Sequence, residues 1–451
     1  MTSASAAAAV PDPPPGPRLP RLLQTVLILG RPVSYLEECR RRYGPVFQVR
    51  IIGRPPIVYV TSAELAAQVY ATDQHAAVRG AVREFFAPVV GASSLICLDG
   101  EHWTRHRKRL NPLLRPRVVA AFRADIAAIA AAEIDRWPLG QPFALRPRME
   151  AILLDVSLRA IFGVQDEVRR AALRSLLSRL IAASTAMMAT PPSAHRLIVR
   201  SRLAQRLTVL PTSRAIALRR QVDEFLAGEI AARRESPGSH GRDVLSQLLC
   251  DDAGAVLTDQ EILDELMALL GAGHHTTATA LAWAFEQLVR HPEAMARLRE
   301  DIARGSDRYL DAVVWETLRV RPVVPTATRR LTRPLALGRY AVPAGWLVTP
   351  AIPLLHGDPA IWPRSRMFQP ERFLGEGMTG PAVPEWMPFG GGLRMCIGAH
   401  LATLEIKVVL REALTRVNLA SASQVTECSL NRYSMLVPSR RAQVIATELL
   451  V

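Results

Sequence analysis

The sequence predicts a mainly α-helical protein with a small β-rich part. Helical periodicity dominates residues 100–300, whereas short runs of β-branched and aromatic residues lie before and after that stretch. Apolar residues make up 49% of the 451 residues, which is enough to bury a large core. No internal repeat interrupts this order. We therefore expect one large helical domain with strands near both ends of the chain.

The first residues are expected to lie outside that domain. Residues 1–19, MTSASAAAAVPDPPPGPRL, have an Ala/Pro-rich composition that is typical of disorder. They lack the cationic start and apolar stretch of a secretory signal, and no run of 18 apolar residues predicts a membrane span. We expect a disordered tail over 1–19, a single domain over 20–451, and a cytoplasmic protein without a membrane anchor.

Short strands are predicted on both sides of the helical region. The runs VFQVRI and PPIVYVT predict two strands joined by a turn at Gly53. After residue 320, the runs TATRRLT, LALGRYAVPAG and WLVTPAI predict further strands. Residues 75–97 lack clear periodicity, which predicts a long irregular segment. We expect this segment and residues 165–215 to line or gate a pocket.

One helix is predicted to be unusually long. Thr258 and Glu261 form a capping-box pattern at its start, and the helix should end before Pro292, a length of roughly 48 Å. Gly271 and Gly273 lie in its middle, where each glycine costs about 1 kcal/mol relative to alanine. Two such glycines indicate that something large packs against this face; close helix–helix packing is the alternative.

The chain is strongly basic, with a formal net charge of +15 that is almost entirely due to arginine. Nucleic-acid binding is one interpretation of such a charge. The arginines are spread through the helices, however, and do not form a basic tail. We therefore expect no nucleic acid, and favour a solvated basic surface that in part meets an acidic protein partner.

The cysteine pattern predicts neither a disulfide framework nor a zinc site. The five cysteines are odd in number and widely scattered, and no C-x-x-C pair occurs. Without a signal peptide, reduced thiols are expected. The positions are Cys39, Cys97, Cys250, Cys396 and Cys428.

Residues 388–400, PFGGGLRMCIGAH, surround Cys396 with glycines. They match neither G-x-G-x-x-G nor a G-K-[ST] ending, which excludes a phosphate loop. Cys396 directly precedes a predicted helix, and a helix N-terminus favours thiolate. Small residues let a flat ligand approach the backbone. This pattern indicates one thiolate that binds a metal carrying its other ligands; haem iron fits, and a buried inert cysteine is the alternative.

The loop also resembles a known family signature. Residues 389–398 match F-x-x-G-x-R-x-C-x-G at every fixed position, which resembles the haem-ligand signature of the cytochrome P-450 family, soluble bacterial type. The resemblance covers roughly residues 15–451 and implies a triangular helical bundle that encloses haem b. Other matching motifs are Trp103-Thr-Arg-His-Arg107, Ala272-Gly-His-His-Thr-Thr277, Glu316-Thr-Leu-Arg319 and Pro370-Glu-Arg-Phe373.

The resemblance assigns roles to residues around the cofactor. It implies that Cys396 ligates the iron and that Glu316, Arg319 and Arg372 form a clamp that positions the cysteine loop without touching substrate. The remaining cofactor-binding residues that it implies are Phe389 in the loop and, on the haem propionates, Arg394, Arg107, His102 and Arg329.

The middle of the long helix resembles the family's oxygen-activation motif. It implies catalytic roles for Gly273, His275 and Thr276, although the family usually has an acid where this chain has His275. Histidine can relay protons, with an ordinary pKa of about 6.5. Alternatively, His275 only closes the helix through a salt bridge. The His-Thr pair also resembles the sterol 14-demethylase branch, but residues 70–97 lack that branch's tyrosine motif. His274 is expected to face away from the haem.

By resemblance, the protein is a monooxygenase that inserts one oxygen atom of O₂ into an apolar small molecule of lipid, steroid or terpenoid type. The chain holds no flavin or nicotinamide module, so electrons are expected from a ferredoxin and its reductase with NADH or NADPH. A monomer is expected. Alternatives are a peroxide-using or rearrangement-type member, which Thr276 argues against, and a non-catalytic haem sensor or carrier.

Overall fold

The structure of the protein is a computed structural model that describes residues 12–74, 77–78, 84–188, 190, 192–235, 241–250, 257–375, 384–432 and 434–450. Helices dominate it, as the sequence predicts. The helices are α1 Arg21–Gly30, α2 Pro32–Tyr43, α3 Ala63–Ala71, α4 Ala87–Val90, α5 Gly100–Leu110, α6 Pro116–Val119, α7 Arg123–Ile134, α8 Leu145–Ala160, α9 Glu167–Met187, α10 Pro192–Arg200, α11 Arg202–Arg206, α12 Pro211–Glu235, α13 Val244–Leu249, α14 Asp259–Arg290, α15 Pro292–Ala303, α16 Arg308–Val320, α17 Ile352–His356 and α18 Ala399–Arg416.

The strands form small sheets, which confirms a β-rich part at both ends of the chain. A five-stranded sheet has the order β1-β2-β8-β5-β3, and a three-stranded sheet has the order β4-β12-β9. Strands β6 and β7 form one antiparallel pair, and β10 and β11 form another. Their bounds are β1 Val46–Val49, β2 Ile57–Val60, β3 Ala77–Val78, β4 Pro142–Ala144, β5 Arg329–Leu331, β6 Leu335–Leu337, β7 Tyr340–Val342, β8 Leu347–Pro350, β9 Val417–Ser421, β10 Ser429–Arg432, β11 Met435–Pro438 and β12 Gln443–Leu449.

Helix α14 is the predicted long helix and spans 32 residues. The capping box is confirmed: the Thr258 hydroxyl accepts from the Glu261 N–H, and the Glu261 carboxylate accepts from the Thr258 N–H at 2.8 Å. The helix ends at Arg290, next to the predicted stop. These reciprocal bonds satisfy donors that a helix start otherwise leaves unpaired.

Helix α14 separates two hydrophobic clusters and contributes buried residues to both. The first cluster joins it to α7, α8, α16 and α18, and the second joins it to α9, α12 and α13. Leu269 of α14 and Ile397, which lies just before α18, pack against both clusters. The cysteine loop therefore reaches the core where these two clusters meet.

Residues 12–19 differ from the expected disordered tail. The carbonyl of Pro15 accepts from the Gln48 backbone N–H at 2.8 Å, and the carbonyl of Pro14 accepts from the Gln48 amide at 2.7 Å. Prolines lack an N–H but keep a carbonyl acceptor, so this stretch can cover the edge strand β1. The ordered part thus begins before residue 20, and residues 1–11 lie outside the described residues.

The segment expected to be irregular is described only in part. Residues 75–76 and 79–83 lie outside the described residues. Between 84 and 97, the four-residue helix α4 lies among turns. Val89 of this helix and the nearby Phe85 and Leu95 pack against the cluster of α9, α12 and α13. Apart from the two-residue strand β3, a single 3-10 turn and α4, the described residues of this segment are irregular, as predicted.

Candidate active site

The cysteine loop folds tightly because glycine occupies its strained positions. Gly390 has φ +73° and Gly392 has φ +70°, a region that other residues rarely adopt. A Cβ on Gly391 would lie 2.5 Å from the ring of Tyr70. The Cys396 N–H donates to the Phe389 carbonyl at 3.0 Å and closes the loop. Cys396 is exposed and lies shortly before helix α18, in the position that the sequence predicts for a thiolate ligand.

A buried network of ion pairs and hydrogen bonds supports this loop. Arg319 makes two bonds to the Glu316 carboxylate, at 2.7 and 2.8 Å, and Arg372 adds a third at 3.1 Å. The predicted clamp is therefore confirmed. Arg319 also donates to the His356 carbonyl at 2.7 Å, and His356 Nε2 accepts from the Met387 N–H at 3.0 Å. The network thus reaches the residue that precedes the loop.

His356 is a positioning residue that sequence reasoning missed. It is buried, and burial together with the charge of Arg319 lowers the pKa of His356 to about 3. The ring is therefore neutral at ordinary pH, with Nδ1 bonded to the Arg319 carbonyl at 3.2 Å. A neutral ring with Nδ1 as donor leaves Nε2 as an acceptor, which matches its bond to Met387. Because His356 lies outside the motifs in sequence, sequence patterns did not indicate this role.

Two predicted propionate ligands flank one tryptophan at the cysteine loop. The guanidinium of Arg394 lies 4.5 Å from the Trp103 ring centre, and that of Arg107 lies 5.8 Å from it. Arg394 donates to the Leu98 carbonyl at 3.0 Å and pairs with Asp99. The structure thus brings the W-x-x-x-R motif and the cysteine motif together.

Arg107 differs from Arg394 in its partners. Within the described part of the chain, the Arg107 guanidinium has no ion pair. Burial lowers the pKa of Arg107, and the negative charge of a nearby Cys396 thiolate acts in the opposite direction. A partly buried cation without a carboxylate partner is costly. Arg107 is therefore suited to bind a carboxylate beside the cysteine sulfur.

His102 and Arg329 have contrasting surroundings. His102 is exposed in the first turn of α5, next to Trp103. Arg329 is buried and holds both carboxylate oxygens of Asp73, one of them at 2.9 Å. It also donates to the Ala327 carbonyl at 2.7 Å. The propionate roles of both residues stay predictions, and the structure gives Arg329 a protein carboxylate as its partner.

The middle of α14 has one solvent-exposed face, called here its open face. Residues 262–268 and 277–288 are buried, whereas residues 271–273 are exposed. A Cβ on Gly273 would meet no atom within 4 Å. The Thr276 hydroxyl donates to the Ala272 carbonyl at 2.6 Å, a bond that loosens the helix locally. The predicted catalytic positions 273 and 276 therefore lie on an open face of small residues.

The two histidines of the motif contact the neighbouring helix α8. His275 Nδ1 lies 3.0 Å from a carboxylate oxygen of Glu150, and His274 Nε2 lies 2.9 Å from the Glu150 backbone carbonyl. His274 is buried, and burial lowers the pKa of His274 to about 4. The salt-bridge arrangement that the sequence left open for His275 is present. Sequence reasoning missed Glu150, which lies 125 positions away.

A second carboxylate that the sequence did not reveal reaches α14 from helix α18. Glu405 of α18 is buried and bonded to the Thr277 hydroxyl. Burial raises the pKa of Glu405 to about 8, and the bond from Thr277 offsets only part of this shift. Glu405 is therefore largely protonated at neutral pH. Helices α14 and α18 thus meet through a protonated acid bonded to Thr277, which follows the predicted catalytic Thr276 in sequence.

These features fit a flat, anionic metal complex such as haem. An exposed thiol, a half-buried guanidinium and an open face of small residues lie where two core clusters meet. A thiolate supplies one metal ligand, and arginine binds carboxylates bidentately. The donor set therefore matches a metal that brings its other ligands with it.

Comparisons with known proteins agree with this geometry. A sequence profile of the family described as Cytochrome P-450 matches residues 13–446. The chain belongs to the cytochrome P-450 family. Cytochrome P-450 135B1 of Mycobacterium tuberculosis is 38% identical over 443 residues, which are 96% of this chain and 90% of that protein. Cytochrome P-450 138 of the same organism is 33% identical over 440 residues, 96% of each chain.

Solved structures show the same fold. Retinoic-acid-bound cyanobacterial CYP120A1 superposes with a TM-score of 0.81 at 24% identity and covers 98% of this chain and 100% of that chain. The haem domain of cytochrome P-450DA gives a TM-score of 0.81 at 21% identity, over 97% of this chain and 98% of that chain. The predicted fold is confirmed. In the part of the chain that the structure describes, no helix has the length and apolar character needed to cross a membrane.

Membership of this family makes the protein a haem-iron monooxygenase that uses O₂ and a redox partner. The expectation of an oxidoreductase is therefore confirmed at this level.

Proposed function

We propose that the protein holds haem b and inserts one oxygen atom of O₂ into an apolar lipid, steroid or terpenoid-like molecule with electrons from a ferredoxin. The observation that carries this proposal is the position of Cys396, exposed before α18 where the two clusters beside the open face of α14 meet. A thiolate there would bind the iron, and the open face of α14 would leave room for O₂ and substrate.

The residues around the cysteine loop would hold the cofactor. Arg107 offers a guanidinium without a carboxylate partner among the described residues, Arg394 lies over the same tryptophan, and His102 precedes that tryptophan in sequence. We assign the two propionates to these side chains, with Phe389 closing the loop over the sulfur. When bound, the haem supplies the activation of O₂ and the oxygen transfer.

Thr276 and His275 would bind and transfer protons on the open face of α14. The Thr276 hydroxyl already donates to the Ala272 carbonyl, so its oxygen can accept a bond from water on the open face. Gly273 leaves the space that such a water needs. His275, paired with Glu150, lies at the position where the family usually has an acid.

The surface around the cysteine loop suits an acidic electron donor. Leu393 and Met395 of the loop are exposed. Exposed cations lie in the nearby segment of helices α5 and α6: Lys108, Arg115 and Arg117. Helix α6, which follows Arg115, packs against α18. Opposite charge steers the encounter of two proteins, and exposed apolar residues stabilise the docked complex. An acidic ferredoxin with its NADH- or NADPH-dependent reductase fits this surface.

The described walls of the expected pocket favour an apolar substrate. Phe85, Val89 and Leu95 from the segment before α5 pack against apolar residues of α9 and α12. Such walls bind a ligand mainly by burying its apolar surface and offer few polar contacts. This suits a lipid, steroid or terpenoid-like molecule. We propose that the protein works as a monomer in the cytoplasm.

Turnover of the purified haem-loaded protein tests this proposal. A panel of fatty acids, steroids and terpenoids is screened for changes in the haem spectrum, and each binder is incubated with O₂, NADH, a surrogate ferredoxin and its reductase. We expect a hydroxylated product that depends on all four. Product formed from peroxide alone, without ferredoxin, would favour the peroxide-using alternative. Binding without product in either system would favour a sensor or carrier.

A further inference from the structure

A buried ion pair between α12 and α14 holds part of the segment that is expected to line the pocket. Arg219 of α12 and Asp264 of α14 pair at 2.8 Å, and their side chains are only 6% and 5% exposed. Arg219 also donates to the Val89 carbonyl, and Asp264 accepts from the Ser93 N–H at 3.0 Å. Two helices thus bind the backbone of residues 89–95 through one pair of charges.

The segment approaches α14 closely at a glycine. Gly91 has φ +88°, and a Cβ at this position would lie 1.9 Å from the carboxyl carbon of Asp264. A residue without a side chain is therefore needed for this contact. The Leu95 N–H donates to the Glu265 carboxylate at 2.7 Å. Both neighbouring acids of α14 therefore hold the segment, one at each end of it.

This docking places Val90 at the edge of the open face of α14. Val90 is buried, and a Cβ on Gly271 would lie 3.4 Å from one of its methyl groups. Gly271 belongs to the same exposed stretch as Gly273. The sequence left two interpretations for the glycines of α14, a large ligand or close packing. At Gly271 the structure shows close packing, so the position of Val90 determines how much of the open face stays accessible.

The chain that follows this segment is held by the cysteine loop. Arg394 donates to the Leu98 carbonyl at 3.0 Å and pairs with Asp99. The backbone from residue 89 to residue 99 therefore runs from the ion pair of α12 and α14 to the residues beside Cys396. A shift of this backbone at its α14 end would change the space between the open face and the cysteine loop.

We propose that Arg219 and Asp264 are specificity-determining positioning residues that set the depth of the substrate pocket. They fix residues 89–95 against α14, so that Val90 limits the open face at Gly271. Both side chains act through the backbone of this segment. The proposal rests on the proposed monooxygenase activity and deepens it, because it names the residues that select an apolar ligand by its length.

Two ligands of known chemistry test the proposal without a known substrate. Imidazole and N-dodecylimidazole both bind haem iron through a ring nitrogen, but only the second has an apolar tail that extends along the pocket wall. Their dissociation constants are measured by titration of the haem spectrum of the haem-loaded protein. The ratio of the two constants reports the pocket wall, because changes at the iron affect both ligands alike.

Asp264→Asn keeps the shape of the side chain and removes its charge. Arg219 then retains Asp223, which it contacts at 2.7 Å, and the segment loses its charged acceptor on α14. An ordered wall must then be formed at the expense of binding energy. We expect N-dodecylimidazole to bind roughly tenfold more weakly and imidazole to change by less than about twofold.

Gly91→Ala tests the same contact from the other side and leaves the ion pair in place. Its Cβ would overlap the Asp264 carboxylate, so the segment has to move away from α14. The ratio of the dissociation constants should rise as it does in Asp264→Asn. This variant removes no buried charge, so it carries the test even where Asp264→Asn yields little haem-loaded protein.

Asp243→Asn is the matched control. Asp243 pairs with Arg233 of the same helix α12, also at 2.8 Å, and a Cβ on Gly163 would lie 2.1 Å from its carboxyl carbon. Among the described residues, the side chain of Asp243 bonds to Arg233 and Ser246 and not to residues 89–95. This variant therefore weakens a similar buried pair elsewhere, and its ratio should match that of the wild type.

The outcomes separate a positioning role from a general effect on stability. An unchanged ratio in Gly91→Ala or in haem-loaded Asp264→Asn would overturn the proposal, even if the variant unfolds earlier. A ratio that rises equally in Asp243→Asn would also overturn it, because any loosening of α12 would then have the same effect. Failure of the proposed function looks different: the wild type would bind both ligands and form no O₂-dependent product.

Discussion

Two carboxylates pair with arginines in different parts of the molecule, and they differ in their access to water. Glu316 is fully buried and takes three bonds from Arg319 and Arg372. Glu150 is about a quarter exposed and shares one oxygen between Arg146 and His275. The side chains that bind the first carboxylate are both arginines, whereas those that bind the second are an arginine and a histidine. The comparison shows one carboxylate network that is closed to water and another that water can reach.

The largest effect is expected from removing the central arginine of the buried network. Arg319→Ala should leave Glu316 charged and buried, and it removes donors from the carbonyls of His356, Ser365 and Met367. Loss of one partner from a buried pair costs about 3–5 kcal/mol. We expect little folded, haem-loaded protein, measured by the haem-to-protein ratio and by denaturant unfolding. A normal yield would show that this network does not hold the cysteine loop.

A third carboxylate sharpens the comparison, because Glu405 is buried beside Thr277 without a cation among the described residues. Its folded pKa of about 8 lies above the unfolded value, so the folded state binds the extra proton between these two pH values. Stability should therefore fall as pH rises from about 5 to 8, by on the order of 3 kcal/mol.

Glu405→Gln should remove most of this pH dependence. Denaturant unfolding at several pH values from 5 to 8 measures the effect in wild type and variant. Glu412→Gln, which changes a more accessible glutamate of the same helix, serves as the control and should keep the wild-type slope. Parallel slopes for Glu405→Gln and the wild type would show that Glu405 is ionised in the folded protein.

A smaller effect is expected from the outer arginine of the buried network. Arg372→Ala leaves Glu316 with both bonds from Arg319, so the loss should be about 1–2 kcal/mol. The haem-loaded yield should fall, while turnover per haem stays near the wild-type value. Normal yield with collapsed turnover per haem would indicate that Arg372 acts on the reaction itself.

The parts of the site that could be predicted are those that the local sequence encodes. The glycines that let a flat ligand approach the backbone lie within a few residues of Cys396, so the local sequence indicated the role of this loop. The Glu316–Arg319 pair follows from i, i+3 spacing on one helix, and the capping box of α14 follows from Thr258 and Glu261. In each case the partners lie close together in sequence, so pattern and structure coincide.

The partners that come from distant helices could not be predicted. Glu150 lies on α8 and Glu405 on α18, and both meet α14 only because these helices pack against it. Each looks like an ordinary glutamate in a helical stretch. His356 was hidden for the same reason, and Asp73 as the partner of Arg329 was also not foreseen. Helix packing, which sequence periodicity does not specify, decides these contacts.

The carbon monoxide difference spectrum of the reduced protein tests most directly the assignment of Cys396 as the haem ligand. The wild type should show the long-wavelength Soret band that thiolate ligation gives in this family. Cys396→Ser should lose that band, while Cys428→Ser, which changes another exposed cysteine, should keep it. A thiolate-type band that persists in Cys396→Ser, or that disappears in Cys428→Ser, would contradict the assignment.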